Sequence, residues 1–171
     1  LGARRRRLAG FVVTDHGPAL AGGTHPYHFG NLRVLPERIR GVRVYRGIEA
    51  NVLDLDGGLD LEAERLALLD FAYAGLHEIC FEPRGAKDNT KALAAALRNP
   101  LVDAVSHPGN PVFPVDLEAI VETALERGKA IEINDSSFRV RKGSAGRCAE
   151  LARLCAERGA LVVCGSDAHY L

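Results

Sequence analysis

Four of the six histidines (His16, His77, His107 and His169) stand just after short apolar runs, and two carboxylates, Glu49 and Asp167, hold the same kind of position. Imidazole nitrogen and carboxylate oxygen together are the usual ligands of zinc, manganese and iron. A carboxylate such as Glu49 can bridge two ions. Divalent ions roughly 3.5–4 Å apart need such an anion, because their charges repel. Each residue also has an ordinary reading on its own. A lone His after a strand is usually a surface or satisfied core residue. Asp15 can make an Asx-turn, Ser106-His107-Pro108-Gly109-Asn110 is a good turn sequence, and Gly165-Ser166-Asp167 can cap a helix. Taken jointly, six ligand-type residues at five strand ends point to a metal site. Arg141 and Lys142, with Arg139, could grip a substrate phosphate or form a solvated basic loop. Asn110, Asn134 and Ser136 could line a pocket or satisfy turn backbone. His25 and His28 share a Gly-rich loop from Ala21 to Gly30 and read mainly as solvent-exposed.

The elements that must position these residues alternate between strand and helix. Apolar strand patterns cover Phe11–Thr14, Arg43–Glu49, Leu69–Ala74, Val102–Val105, Ala130–Ile133 and Leu161–Cys164. Helical patterns cover Leu32–Arg40, Glu62–Ala67, Asn89–Leu97, Asp116–Arg127 and Ser144–Arg158. Asp88 is the expected N-cap of the third of these, with Asn89 competing, and Gly128 and Gly159 close the last two. Leu117, Ile120, Val121, Ala124 and Leu125 share one helix face. Such alternation predicts a parallel sheet. The polar residues recur after the strands, at the end that carries the chemistry in a β/α barrel.

Bulk properties narrow the function. The 171 residues suffice for one domain with a real core. Basic and acidic residues balance at 22 each, which gives no reason to expect nucleic acid as a partner. No apolar run reaches the roughly 18 residues that span a membrane. Cys80, Cys148, Cys155 and Cys164 form no C-x-x-C pair and read as small buried hydrophobes in a reducing, cytoplasmic setting.

The strings TDHG (Thr14 to Gly17), GIEAN (Gly47 to Asn51), GLHE (Gly75 to Glu78), SHPGN (Ser106 to Asn110), EINDSSF (Glu132 to Phe138), RKGS (Arg141 to Ser144) and GSDAH (Gly165 to His169) occur in that order. They resemble the successive strand-end motifs of the PHP (polymerase and histidinol phosphatase) superfamily, in its bacterial branch with a trinuclear metal site. The resemblance implies a distorted (β/α)7 TIM-like barrel. It implies up to three divalent metals, zinc first, with manganese and iron as alternatives. His16 and His169 would bind one metal and help to orient the nucleophile or leaving group. Glu49 would bridge the two others, His77 and His107 would complete one of them, and Asp167 would serve the second. Glu49, Asp167, His16 and His169 would thus carry the catalysis, and Arg141, Lys142 and Asn110 would meet the substrate. The implied reaction is hydrolysis of a small-molecule phosphate monoester by a metal-bound hydroxide.

The chain also departs from that pattern. The family opens on an H-x-H motif, and no His precedes Phe11 here. Arg4 to Arg7 read as the end of a first helix. The expectation is therefore a single partial PHP domain over residues 1–171, an incomplete barrel without its first strand and its last β/α units. Such a chain would hold fewer than three metals and could be inactive. An amidohydrolase-type barrel is disfavoured because no strand ends in the Lys that bridges metals there. The remaining alternative is an inactive or partial metal-binding barrel, polymerase-associated or structural. Substrate, metal identity and oligomeric state stay open.

Overall fold

The computed structural model describes residues 2–168. Helix α1 (Gly2–Arg5) leads into β1 (Gly10–His16), α2 (Pro26–Asn31) and a 3-10 turn (Leu32–Val34). The short β2 (Arg38–Ile39) and the long β3 (Val42–Asn51) follow. Then come α3 (Ala63–Leu66), β4 (Phe71–Gly75), α4 (Ala86–Leu97), β5 (Ala104–Val105), α5 (Leu117–Arg127), β6 (Ala130–Asn134), α6 (Asp135–Arg139), α7 (Ser144–Arg158) and β7 (Leu161–Gly165).

Six strands run parallel in the order β1-β3-β4-β5-β6-β7, and β2 joins β3 antiparallel. The sheet curls into an open half-barrel clad by helices, the α/β architecture that the alternating pattern predicts. Side chains alternate across the strands. Ile48 and Ala50 of β3 pack outward with Phe29, Leu61 and Leu66. Glu49 between them faces the inside of the curl. On β4, Ala72 and Ala74 lie under helices, whereas Tyr73 packs inside against Ala104 and Ala130. The largest cluster joins α4, α5 and α7 to the outer sheet face through Leu93, Leu97, Ile120, Val121, Ile131 and Leu151.

The helix ends follow local chemistry. Asp116 caps α5 by accepting from the Ala119 N–H at 3.1 Å, and Gly128 ends it at φ +62°, a left-handed conformation that suits glycine. Gly159 ends α7 as expected.

Four expectations need correction. The helix read over 32–40 is only the turn Leu32–Val34, followed by β2. Pro36 lacks an N–H and fixes its φ, which breaks the helix, and Arg40 and Gly41 at φ +51° and +85° make the hairpin into β3. The Gly-rich loop instead holds α2, with Pro26 in its first turn and His25 as N-cap, accepting from the Tyr27 N–H at 3.3 Å. Helix α4 begins at Ala86 with Gly85 as N-cap, so Asp88 lies in the first turn, where its negative charge still suits the helix dipole. Asn89 is buried in that helix, donating to the carbonyls of Arg84 at 2.8 Å and Pro114 at 3.0 Å. Cys148 and Cys155 are buried as expected, but Cys80 is only half-buried, and Cys164 is exposed because β7 is a sheet edge among the described strands.

Candidate metal centre

Glu49 sits near the end of β3 with its side chain 13 % exposed. One carboxylate oxygen, Oε1, lies 3.0 Å from His107 Nε2 and 3.3 Å from His77 Nε2. These two nitrogens are 3.2 Å from each other. The other oxygen, Oε2, lies 3.7 Å from His16 Nδ1. Burial alone would raise the Glu49 carboxyl, but hydrogen bonds and positive charge from His107 and His77 outweigh it and hold the group well below the usual carboxylate range.

This donor set suits a cation. A ring nitrogen carries either a hydrogen or a lone pair. With both Nε2 atoms protonated, two donors face each other; with either one deprotonated, its lone pair faces the carboxylate. A divalent ion among the lone pairs of all three satisfies them together. His16, Glu49 and His77 each bring a ligand atom within 4.8 Å of the other two. Glu49 turns one oxygen toward His16 and the other toward His77 and His107, the arrangement that a bridging carboxylate requires.

The strand ends place these groups. After β1, Gly17 N–H donates to the Glu49 carbonyl at 3.0 Å, which docks the His16 turn onto β3. Asp60 braces the same corner by accepting from Ala19 N–H at 2.9 Å and Asn51 N–H at 2.8 Å. The His77 carbonyl accepts from Cys80 and Phe81 N–H, both at 2.9 Å, closing a turn after β4. His107 follows β5 at φ +33°, an uncommon backbone conformation for a residue with a side chain.

The other candidate residues are distributed around this core. Asp167 has φ +51°, and its Oδ2 accepts from Arg141 Nη2 at 3.2 Å, while Arg141 Nη1 donates to Ser137 Oγ at 3.1 Å. Lys142 is exposed. The Asn110 side-chain oxygen accepts from Val112 N–H at 3.2 Å within its own turn. Asn134 caps α6 by accepting from Ser137 N–H at 3.1 Å. His28 pairs with Asp15, next to His16, at 2.8 Å. His169 lies outside the described residues.

The curl encloses an open cleft of about 730 Å³ between β1 and β7, with His16, Glu49, Tyr73, Glu132 and Asp167 along its walls. Glu132 was not among the candidate ligands in the sequence. It is 6 % exposed, and its Oε2 accepts from the His107 backbone N–H at 2.8 Å and from Asn134 Nδ2 at 3.3 Å. Burial raises its carboxyl, the charge on His107 pulls the other way, and the charge on Glu49 raises it further. An acidic residue inside the apolar run Ala130–Ile133 was the available signal, since a buried strand tolerates one only where it has partners.

The chain is 53% identical over 159 residues to a probable phosphatase of Acetivibrio thermocellus, which covers 93% of this chain and 66% of that protein. It is 45% identical over 168 residues to a probable phosphatase of Caldicellulosiruptor saccharolyticus, covering 98% of this chain and 70% of that protein. The chain belongs to this family of bacterial probable phosphatases. It spans about two-thirds of the length of the curated relatives it matches. No family model matches it. Among solved structures, this family member shares its fold with a histidinol phosphate phosphatase from Lactococcus lactis complexed with zinc, L-histidinol and phosphate. The TM-score is 0.63 at 16% identity, over 98% of this chain and 77% of that one. A protein chain of an archaeal ribonuclease P with mature tRNA also matches in fold, with TM-score 0.58 at 16% identity over 96% of this chain and 67% of that one.

Proposed function

We propose that the chain carries the metal centre of a PHP-type phosphatase that hydrolyses a small-molecule phosphate monoester. The observation that carries this reading is the convergence of His16, His77 and His107 on the two oxygens of Glu49 at the wall of an open cleft. The family's probable phosphatases, and the zinc and phosphate in the Lactococcus structure, support it.

Glu49 would bridge two ions, with His77 and His107 completing the site of one and Asp167 that of the other. His16 and His169 would belong to the remaining ion position of the family site. Zinc is the first choice, and manganese and iron suit the same ligands. Divalent ions, when bound, supply a nucleophile from water near neutral pH and neutralise charge on the phosphoryl oxygens. The chain's own residues position and discriminate. Arg141, already within hydrogen-bond distance of Asp167, presents a guanidinium that suits two phosphate oxygens at once. Lys142 adds an exposed cation beside it. Asn110, whose oxygen serves its turn, would turn its amide nitrogen to the substrate.

Elemental analysis of the purified chain, with p-nitrophenyl phosphate as substrate, tests this reading. Hydrolysis should fall on the order of 100-fold or more on chelation and return on adding zinc or manganese. Arg141→Ala should raise KM while leaving metal content unchanged. Bound metal without hydrolysis would favour the non-catalytic barrel, and absence of metal would refute the centre.

A further inference from the structure

Among the described residues, Glu132 is the one buried carboxylate of the cleft wall to which the proposed metal site gives no task. Its surroundings are specific. One oxygen holds the backbone N–H of His107 at 2.8 Å, and the side-chain amide of Asn134 supports that same oxygen. The other oxygen lies against β7, where a Cβ at position 165 would collide with it. A side chain at 165 would therefore have to displace the Glu132 carboxylate, which fills the space it would take. The residue two places on is Asp167, and the residue whose amide Glu132 holds is His107. A single side chain from β6 therefore touches the ends of β5 and β7, each of which delivers a candidate ligand.

The His107 backbone needs such a hold. Its φ of +33° is uncommon for any residue but glycine, and nearby Asn110 N–H already draws on the His107 carbonyl at 3.0 Å. A conformation of this kind persists when neighbours fix the peptide, and a carboxylate acceptor makes a stronger bond than a neutral one. The imidazole that this peptide aims is the one whose Nε2 lies 3.0 Å from Glu49.

We propose that Glu132 is a positioning residue of the metal centre, locking the His107 peptide and spacing β7 so that the His107 and Asp167 side chains meet at the ligand site. This inference rests on the reading of the site as a metal centre. Glu132 touches neither substrate nor metal in this role. Its effect passes through His107 and Gly165, as outer partners of ligating residues commonly act on metal affinity.

The test compares Glu132→Ala, Glu132→Gln and Gly165→Ala in the 171-residue chain, titrated with zinc against a chromophoric chelator. The His107 amide is followed by 1H–15N spectroscopy in the metal-free protein. Glu132→Ala should weaken zinc binding about 10- to 100-fold and shift the His107 amide proton upfield as its carboxylate acceptor is lost. Glu132→Gln keeps an oxygen acceptor of the same reach and should restore both. Gly165→Ala, which displaces the carboxylate without removing it, should weaken zinc binding as Glu132→Ala does. If Glu132→Ala does not fold, Gly165→Ala and Glu132→Gln decide: wild-type affinity in Gly165→Ala overturns the role. Wild-type affinity in folded Glu132→Ala overturns it as well. Equal losses in the Gln and Ala variants also overturn it, because charge and not positioning would then be what matters. Failure of the wild-type chain to bind zinc is a separate result that refutes the metal reading. The amide resonance still judges the hold on His107 there, and an unshifted resonance in Glu132→Ala overturns it.

Discussion

Glu49→Ala should strip the chain of divalent metal and lower hydrolysis of p-nitrophenyl phosphate by about 1,000-fold or more. Both carboxylate oxygens are engaged, one with His77 and His107 and the other with His16, so no other described side chain replaces the bridge. Hydrogen bonds and charge from the two imidazoles also hold the group well below the usual carboxylate range despite its burial. Removing it leaves crowded imidazole nitrogens with no anion between them. Two cations would then repel without a shared counter-charge. Elemental analysis and the steady-state rate check this together. Wild-type metal content in a folded Glu49→Ala variant would sink the bridging role. Glu49→Gln should lose metal almost as fully, because the amide keeps the shape and not the charge.

Leu97→Ala should cost about 2–5 kcal/mol of folding stability. Leu97 is fully buried on α4, in the cluster where α4, α5 and α7 cover the outer sheet face. Close packing there leaves the lost methyl groups as a cavity, because the surrounding structure relaxes only partly. For a chain of this size the loss should lower the thermal midpoint by roughly 5–15 °C. The matched change Leu68→Ala, at a side chain 62% exposed, should fall within about 0.5 kcal/mol of wild type. Urea unfolding of the two variants checks the contrast, and similar losses in both would show that α4 does not anchor the fold.

Legibility varied along the chain with how local the controlling interaction is. Helices α5 and α7 were readable because Asp116, Gly128 and Gly159 act within a turn of the residues they terminate. The helix expected over residues 32–40 is broken by Pro36, whose ring fixes φ and removes an N–H. The start of α4 was placed late because Asp88 has the chemistry of a cap, whereas the backbone geometry at Gly85 made the actual boundary. At the site, His16, Glu49, His77 and His107 were all legible as ligand-type residues at or near strand ends. Asp167 was recognised too, but its pairing with Arg141 was not. Glu132 was passed over because a strand pattern says which face a residue takes and nothing about what stands on the next strand.

The chain by itself determined the alternation of strand and helix, the caps that end α5 and α7, and the kind of ligand atoms present. All of these depend on side-chain chemistry and on neighbours a few residues away. Tertiary structure alone decided that His16, His77 and His107 come together on one carboxylate, and that Glu132 braces the peptide of one of them. Those contacts join different strands, so they exist only after the sheet has set its register and curl. The physical reason is that a ligand's identity is written at its own position, whereas a metal site is a set of distances between positions far apart in the chain.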